Sequence, residues 1–112
     1  MKWTGLFRKL TLDIKSSLHE AISLIAENKY SEAMAFADDN LKSLYPIEEV
    51  KAGWINITSR LGSYKNHGQI LITQKGKYSV CDVICFFEKG WVHYRYLFDE
   101  NGKISAFQAL LP

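Results

Sequence analysis

At 112 residues the chain has the length of one domain, and a 47% hydrophobic composition with three Trp, six Tyr and six Phe is enough to build a core. Fourteen basic and twelve acidic residues leave a formal charge of only +2, with no long run of one sign, which argues against a basic nucleic-acid-binding patch. No stretch reaches the roughly 18 apolar residues that cross a bilayer, so neither nucleic acid nor a membrane is expected as a partner.

The opening MKWTGLFRKLTL lacks the pattern of a secretory signal, because Lys2, Arg8 and Lys9 interrupt its apolar residues. Residues 1–12 are expected to form an N-terminal arm whose Trp3, Leu6, Phe7 and Leu10 dock on the core. After Asp13, which suits an N-cap, Ile14, Leu18, Ala21, Ile22 and Ile25 follow helical spacing. Ser31 suits the cap of a second helix, with Met34, Ala37, Leu41 and Leu44 on one face. Pro46 fits the first turn of a third, where Glu48 and Glu49 favour the positive end. That helix carries Ile47, Val50, Trp54, Ile57 and Leu61, and Gly62 is placed to cap it. Gly53 in its middle weakens the helix by about 1 kcal/mol relative to Ala, which points to a close contact there.

From residue 64 the apolar period changes from 3.6 to 2. Four strands are expected near 64–74, 78–88, 91–99 and 103–111, separated by Lys75-Gly76, Lys89-Gly90 and Asn101-Gly102 as two-residue hairpin loops. The last of these lies in Asp99-Glu100-Asn101-Gly102, which has some features of a calcium loop. With Gly102 at the sixth position of such a loop, Leu97 and Gln108 would fall where the outer ligands belong. The stretch therefore reads as a turn. The chain as a whole, 1–112, is expected to be a single α+β domain with three N-terminal helices packed on a four-stranded antiparallel meander.

This register divides the strands between two faces. One face, with Tyr64, Ile72, Cys81, Val83, Cys85, Phe87, Val92, Tyr94, Tyr96 and Phe98, should lie against the helices. The other carries His67, Gln69, Asp82, Ile84, Phe86, Trp91, His93, Arg95 and Gln108, together with Ile104. It is too apolar to meet water alone, and a second copy of the chain is the expected cover, making His67, Gln69, Asp82, Ile84, Phe86, Trp91, His93, Arg95 and Gln108 homodimer-interface candidates. Within that face Asp82 lies diagonal to Arg95, with Gln108 beside it. The group reads either as an anion site with a bidentate Arg95 or as an ion pair inside the interface, and the second is preferred.

Cys81 and Cys85 are four residues apart, about 13 Å on a strand that rises about 3.3 Å per residue. They are too far apart to bridge, and they read as reduced, buried hydrophobes in a cytoplasmic protein. His93 points to the opposite face, so neither a zinc site nor a Cys–His nucleophile forms. No Gly-rich phosphate loop or nucleophile elbow is present, and no metal, cofactor or catalytic residue is assigned. Trp54, Tyr64, Tyr94 and Tyr96 are the ligand-pocket candidates, placed to line a cavity between sheet and helices, although such residues also serve as core. An enzyme would need a carboxylate base, for which Asp38 or Asp39 with Tyr94 or Tyr96 as donor are the available groups.

The segment from Leu41 to Gly62, with Pro46, Val50-Lys51-Ala52-Gly53-Trp54 and Leu61-Gly62 before Tyr64, resembles the bacterial domain of unknown function 3887 family. Phe86-Phe87-Glu88-Lys89-Gly90 and Phe98-Asp99-Glu100-Asn101-Gly102-Lys103-Ile104 resemble it too. The resemblance runs from about residue 15 to the end and rests on structural motifs. It implies the cystatin-like cone of the nuclear transport factor 2-like superfamily, in which a curved sheet wraps a long helix. It also implies dimers through the outer sheet face and, in some members, a ligand or active site within the cone. The resulting expectation is a non-catalytic homodimeric domain that binds a small apolar or aromatic ligand or a protein partner. The alternatives are an isomerase- or dehydratase-type enzyme with a carboxylate base in the cone, and a scaffold without a pocket.

Overall fold

The computed structural model describes the backbone of residues 2–110 and the side chains of residues 12–110. Helix α1 spans Lys2–Ala26, because no proline interrupts this stretch. Asp13 is therefore an exposed residue inside α1 and caps nothing, and the backbone of the expected arm is helical. The docking of Trp3, Leu6, Phe7 and Leu10 lies outside the described residues. Ile14, Leu18, Ala21 and Ile22, at helical spacing, are buried along one stripe of α1. The helix stops at Asn28, whose φ of 64° is left-handed. Lys29 N–H then bonds the Leu24 carbonyl at 2.8 Å and Asn28 N–H the Ile25 carbonyl at 3.0 Å, a Schellman closure.

Among the described residues the helical half contains four helices, not three. The expected second helix is split into α2 (Tyr30–Met34) and α3 (Asp39–Leu44). Ser31 caps neither of them. Asp38 is the N-cap of α3, its carboxylate accepting Leu41 N–H at 2.8 Å. Between the two helices, Ala37 forms a parallel bridge with Ile104, which the sequence pattern did not reveal. Helix α4 follows as Ile47–Leu61, after Pro46 and before Gly62, with Glu48 and Glu49 in its first turn.

The sheet has five strands: β1 (Tyr64–His67), β2 (Leu71–Lys75), β3 (Tyr78–Phe87), β4 (Gly90–Phe98) and β5 (Ile104–Leu110). The expected first strand is thus broken in two, and β1 and β2 pair with opposite ends of β3, which also pairs β4. All pairings are antiparallel. Two of the three expected hairpin registers differ from those observed by two residues. Gly76, with φ of 62°, takes the first loop position instead of the second, as a II′ turn demands, so Lys75 pairs Tyr78. Glu88-Lys89 forms the next loop because Glu88 N–H bonds Ser63 O and Lys89 N–H bonds Leu61 O. In the third hairpin Arg95 pairs Gln108 and Tyr96 pairs Phe107 as expected. There the Asp99 carboxylate accepts Asn101 and Lys103 N–H at 2.9 and 3.0 Å, and Asp99 does not pair Ile104.

A slip of two leaves side-chain parity unchanged, so the faces of β3 and β4 hold. Cys81, Val83, Cys85, Phe87, Val92, Tyr94 and Phe98 are buried with the α1 stripe in one core. Two bulges, each leaving one residue unpaired, do change parity. One, at Ser105, turns Ile104 into the core opposite Phe98. The other, at Lys65, sets His67 opposite Cys85 on the helix side.

Gly62 joins α4 to β1 at φ 85° and ψ −167°, a region open almost only to glycine. A Cβ there would lie 2.6 Å from Glu88 Oε1 and 2.9 Å from Glu88 Cβ. Gly62→Ala is expected to lower the unfolding free energy by about 1–3 kcal/mol, measured by urea denaturation. An unchanged midpoint would show that this junction is free to relax.

Candidate functional site

The cavity begins with the link between Phe36–Asp38 and β5. Ile104 N–H bonds Phe36 O and Asp38 N–H bonds Ile104 O, both at 2.8 Å. This anchors the start of α3 at the sheet edge while α4 crosses above the sheet. No residue of α4 is fully buried, although Trp54, Ile57 and Leu61 pack against the core from it. The unfilled space beneath is a cavity of about 360 Å³. Ile22, Ile25, Met34, Val50 and Ile57 form its aliphatic walls, and Cys85, Tyr94, Tyr96 and Phe107 its floor. Lining residues that are also exposed mark the rim: Tyr45, Glu49, Gly53, Asn56 and Ala109.

Four aromatic rings form a ladder from rim to floor. Tyr45 lies 5.2 Å from Phe107 between centroids, Phe107 stacks on Tyr96 at 6.0 Å, and Tyr96 lies 6.1 Å from Tyr94. Neither the Tyr94 nor the Tyr96 hydroxyl is bonded to a described residue, and both rings line the cavity. Burial pushes each phenol well above its ordinary value, so both stay protonated and able to donate. Burial likewise raises the Cys85 thiol to about 12, far from a reactive thiolate.

On the outer face Asp82 stands directly opposite Arg95. Arg95 Nε and His93 Nε2 both donate to Asp82 Oδ1 at 2.8 Å. Burial acts to raise this carboxyl, but the hydrogen bonds and charges of Arg95 and His93 outweigh it and hold it below the usual range. Leu71, Phe86 and Trp91 are exposed on the same face, with Phe86 paired across to Trp91.

The model for a family described as a protein of unknown function, DUF3887, matches residues 19–107. The chain belongs to the DUF3887 family. No curated protein and no solved structure matches it. The matched span runs from α1 into β5 and includes the whole aromatic ladder.

Of the expected pocket residues of this DUF3887 chain, Trp54, Tyr94 and Tyr96 line the cavity. Tyr64 faces a separate, more open groove of about 480 Å³, and Trp54 is the wall shared by both spaces. Asp38 and Asp39 do not line the cavity. Asp38 is occupied instead: Ser105 Oγ donates to Oδ2 at 2.6 Å, and that bond and the cap bond hold its carboxyl low. Glu49, Gly53 and Asn56 were missed as site residues, although their i, i+4, i+7 spacing places them on one helical stripe. A Cβ on Gly53 would meet nothing within 4 Å, so the glycine opens the rim and permits no close contact.

Of the interface candidates, Asp82, Ile84, Phe86, Trp91, His93, Arg95 and Gln108 occupy β3, β4 or β5 positions of outer-face parity. His67 does not join them. The bulge at Lys65 turns it to α1, where its Nε2 lies 2.8 Å from His19 Nδ1 and its Nδ1 2.7 Å from the Gly68 carbonyl. Gln69 is exposed in the β1–β2 connection, outside the strands.

The Asp82 carboxyl is lowered in the folded chain, so the stability it contributes is present above its unfolded value, near 4, and is lost as pH falls through the folded one. Asp82→Asn should therefore be less stable than the parent at pH 7, with the gap closing towards pH 3 in urea denaturation. A gap of equal size at both pH values would count against this role.

Proposed function

We propose that this DUF3887 domain is a non-catalytic binding domain that holds a small apolar or aromatic molecule beneath α4. The supporting observation is the apolar cavity of about 360 Å³ with its aromatic ladder and two tyrosine hydroxyls that bond no described residue. Its size falls within the range of small-molecule sites, about 300–1,000 Å³, and a few convergent polar groups in an apolar lining are their usual composition. The low-set carboxyl of Asp38, outside the cavity, supports a binding role over base catalysis.

The proposal extends to a cone of the nuclear transport factor 2-like kind, since a helix spanning an antiparallel sheet with a cavity between them is what that resemblance implies. It also extends to a homodimer through the outer face, where Leu71, Phe86 and Trp91 present apolar surface around the Asp82–Arg95 pair. Two free, buried cysteines suit a reducing, cytoplasmic setting.

Native mass spectrometry of protein purified without denaturant tests both parts. Two chains with excess mass are expected, and Arg95→Glu should give single chains. Gly53→Leu should close the rim and abolish the excess mass, whereas Gly53→Ala should stabilise α4 by up to about 1 kcal/mol. Bare chains under every condition would favour a scaffold, and a monomeric parent would remove the dimer.

A further inference from the structure

The charge around the cavity narrows the class of molecule it can hold. Among the described residues no lysine or arginine contributes to the lining, and its one carboxylate is that of Glu49. An anionic ligand would lose its hydration with no cation to replace it, and Glu49 would repel it. The lining is also rich in aromatic rings, whose faces carry a negative quadrupole that attracts a cation. Its outermost ring, Tyr45, shares the rim with Glu49. Gly53, where an added Cβ would meet nothing within 4 Å, follows Glu49 by one helical turn on the same stripe of α4. Deeper in, Tyr94 is more than nine-tenths buried and its hydroxyl makes no bond to a described residue.

We infer that the cavity takes a molecule with an ammonium-type cationic head and an apolar body, the head held at the rim by Glu49 and Tyr45 and the body lying along Phe107, Tyr96 and Tyr94. The inference rests on the binding function proposed above and adds the charge of the ligand to it. Glu49 supplies the counter-charge, the Tyr45 ring supplies the cation–π face, and the inner rings receive apolar surface. The head stays at the exposed rim, so the cation keeps part of its hydration and incurs only part of the desolvation penalty.

The test uses three probes with one shared body: 4-phenylbutylamine, 4-phenylbutan-1-ol and 4-phenylbutanoate, each titrated into the full chain at pH 7 by calorimetry. The amine is expected to bind about tenfold more tightly than the alcohol, with the carboxylate weakest. Glu49→Gln should remove most of the amine's advantage over the alcohol, keeping only the part that the Tyr45 ring supplies, and leave the alcohol unchanged. The thermal midpoint of that variant, recorded alongside, separates this effect from any weakening of the first turn of α4. Equal binding of amine and alcohol, tighter binding of the carboxylate, or an amine preference undiminished by Glu49→Gln would overturn the assignment of a cationic head held by Glu49 and leave the cavity as a binding site. Failure of all three probes to bind would overturn the binding function itself.

Discussion

Two backbone hydrogen bonds between Phe36–Asp38 and Ile104 set the plan of this molecule. To make them, the chain must leave helical geometry after α2, which is why one apolar stripe from Met34 to Leu44 serves two short helices. Once Asp38 is fixed beside β5, its carboxylate caps α3 on one side and receives Ser105 on the other. Ser105 is also the bulged residue of β5, and the parity change there sends Ile104 inward. Lys103 Nζ adds a bond to the Ala35 carbonyl. This junction thus joins the helical half to β5 through backbone and side-chain bonds together.

Helices α1 and α4 pack differently on this sheet. Helix α1 lies close enough to the sheet to bury Ile14, Leu18, Ala21 and Ile22 almost completely. Helix α4 carries an apolar stripe of similar strength and buries none of its residues fully. Protein interiors are close-packed, and space left beside apolar side chains forfeits contact energy. Helix α4 is held over that space by its ends and one edge: Pro46 and the Tyr45 ring at one end, the Gly62–Glu88 junction at the other, and Trp54 packed on Tyr64 and Phe87.

The legible parts of the sequence were those set by local chemistry. The α1 stripe, the Pro46 start and Gly62 stop of α4, and the alternation of β3 and β4 all follow from propensity and period. Tyr94 and Tyr96 follow to the cavity side from the same alternation, and Trp54 from the helical spacing of α4. Where distant backbone decided, the reading failed. The Glu88-Lys89 loop follows from carbonyls of Leu61 and Ser63, and the break after α2 from a partner 67 residues away, beyond any window of local pattern. The errors also differed in kind. A slip of two residues in a hairpin cost nothing in side-chain placement, whereas one extra residue at Lys65 or Ser105 moved His67 and Ile104 to the opposite face.

That rule of parity also explains how one strand can serve two chemistries. Arg95 lies between Tyr94 and Tyr96 in sequence, yet it meets Asp82 on the outer face while both tyrosines line the cavity. A shift of a single residue in β4 would exchange them, placing a guanidinium among the ladder rings and a phenol beside Asp82. The β3–β4 pairing runs without irregularity from Ser79–Phe98 to Phe87–Gly90, and the only break in β4 comes at Leu97/Phe98, beyond these three residues. The uninterrupted register therefore keeps the strand's positive charge out of the cavity. It leaves the sheet to contribute aromatic faces and hydroxyls, and α4 to contribute the single carboxylate at the rim.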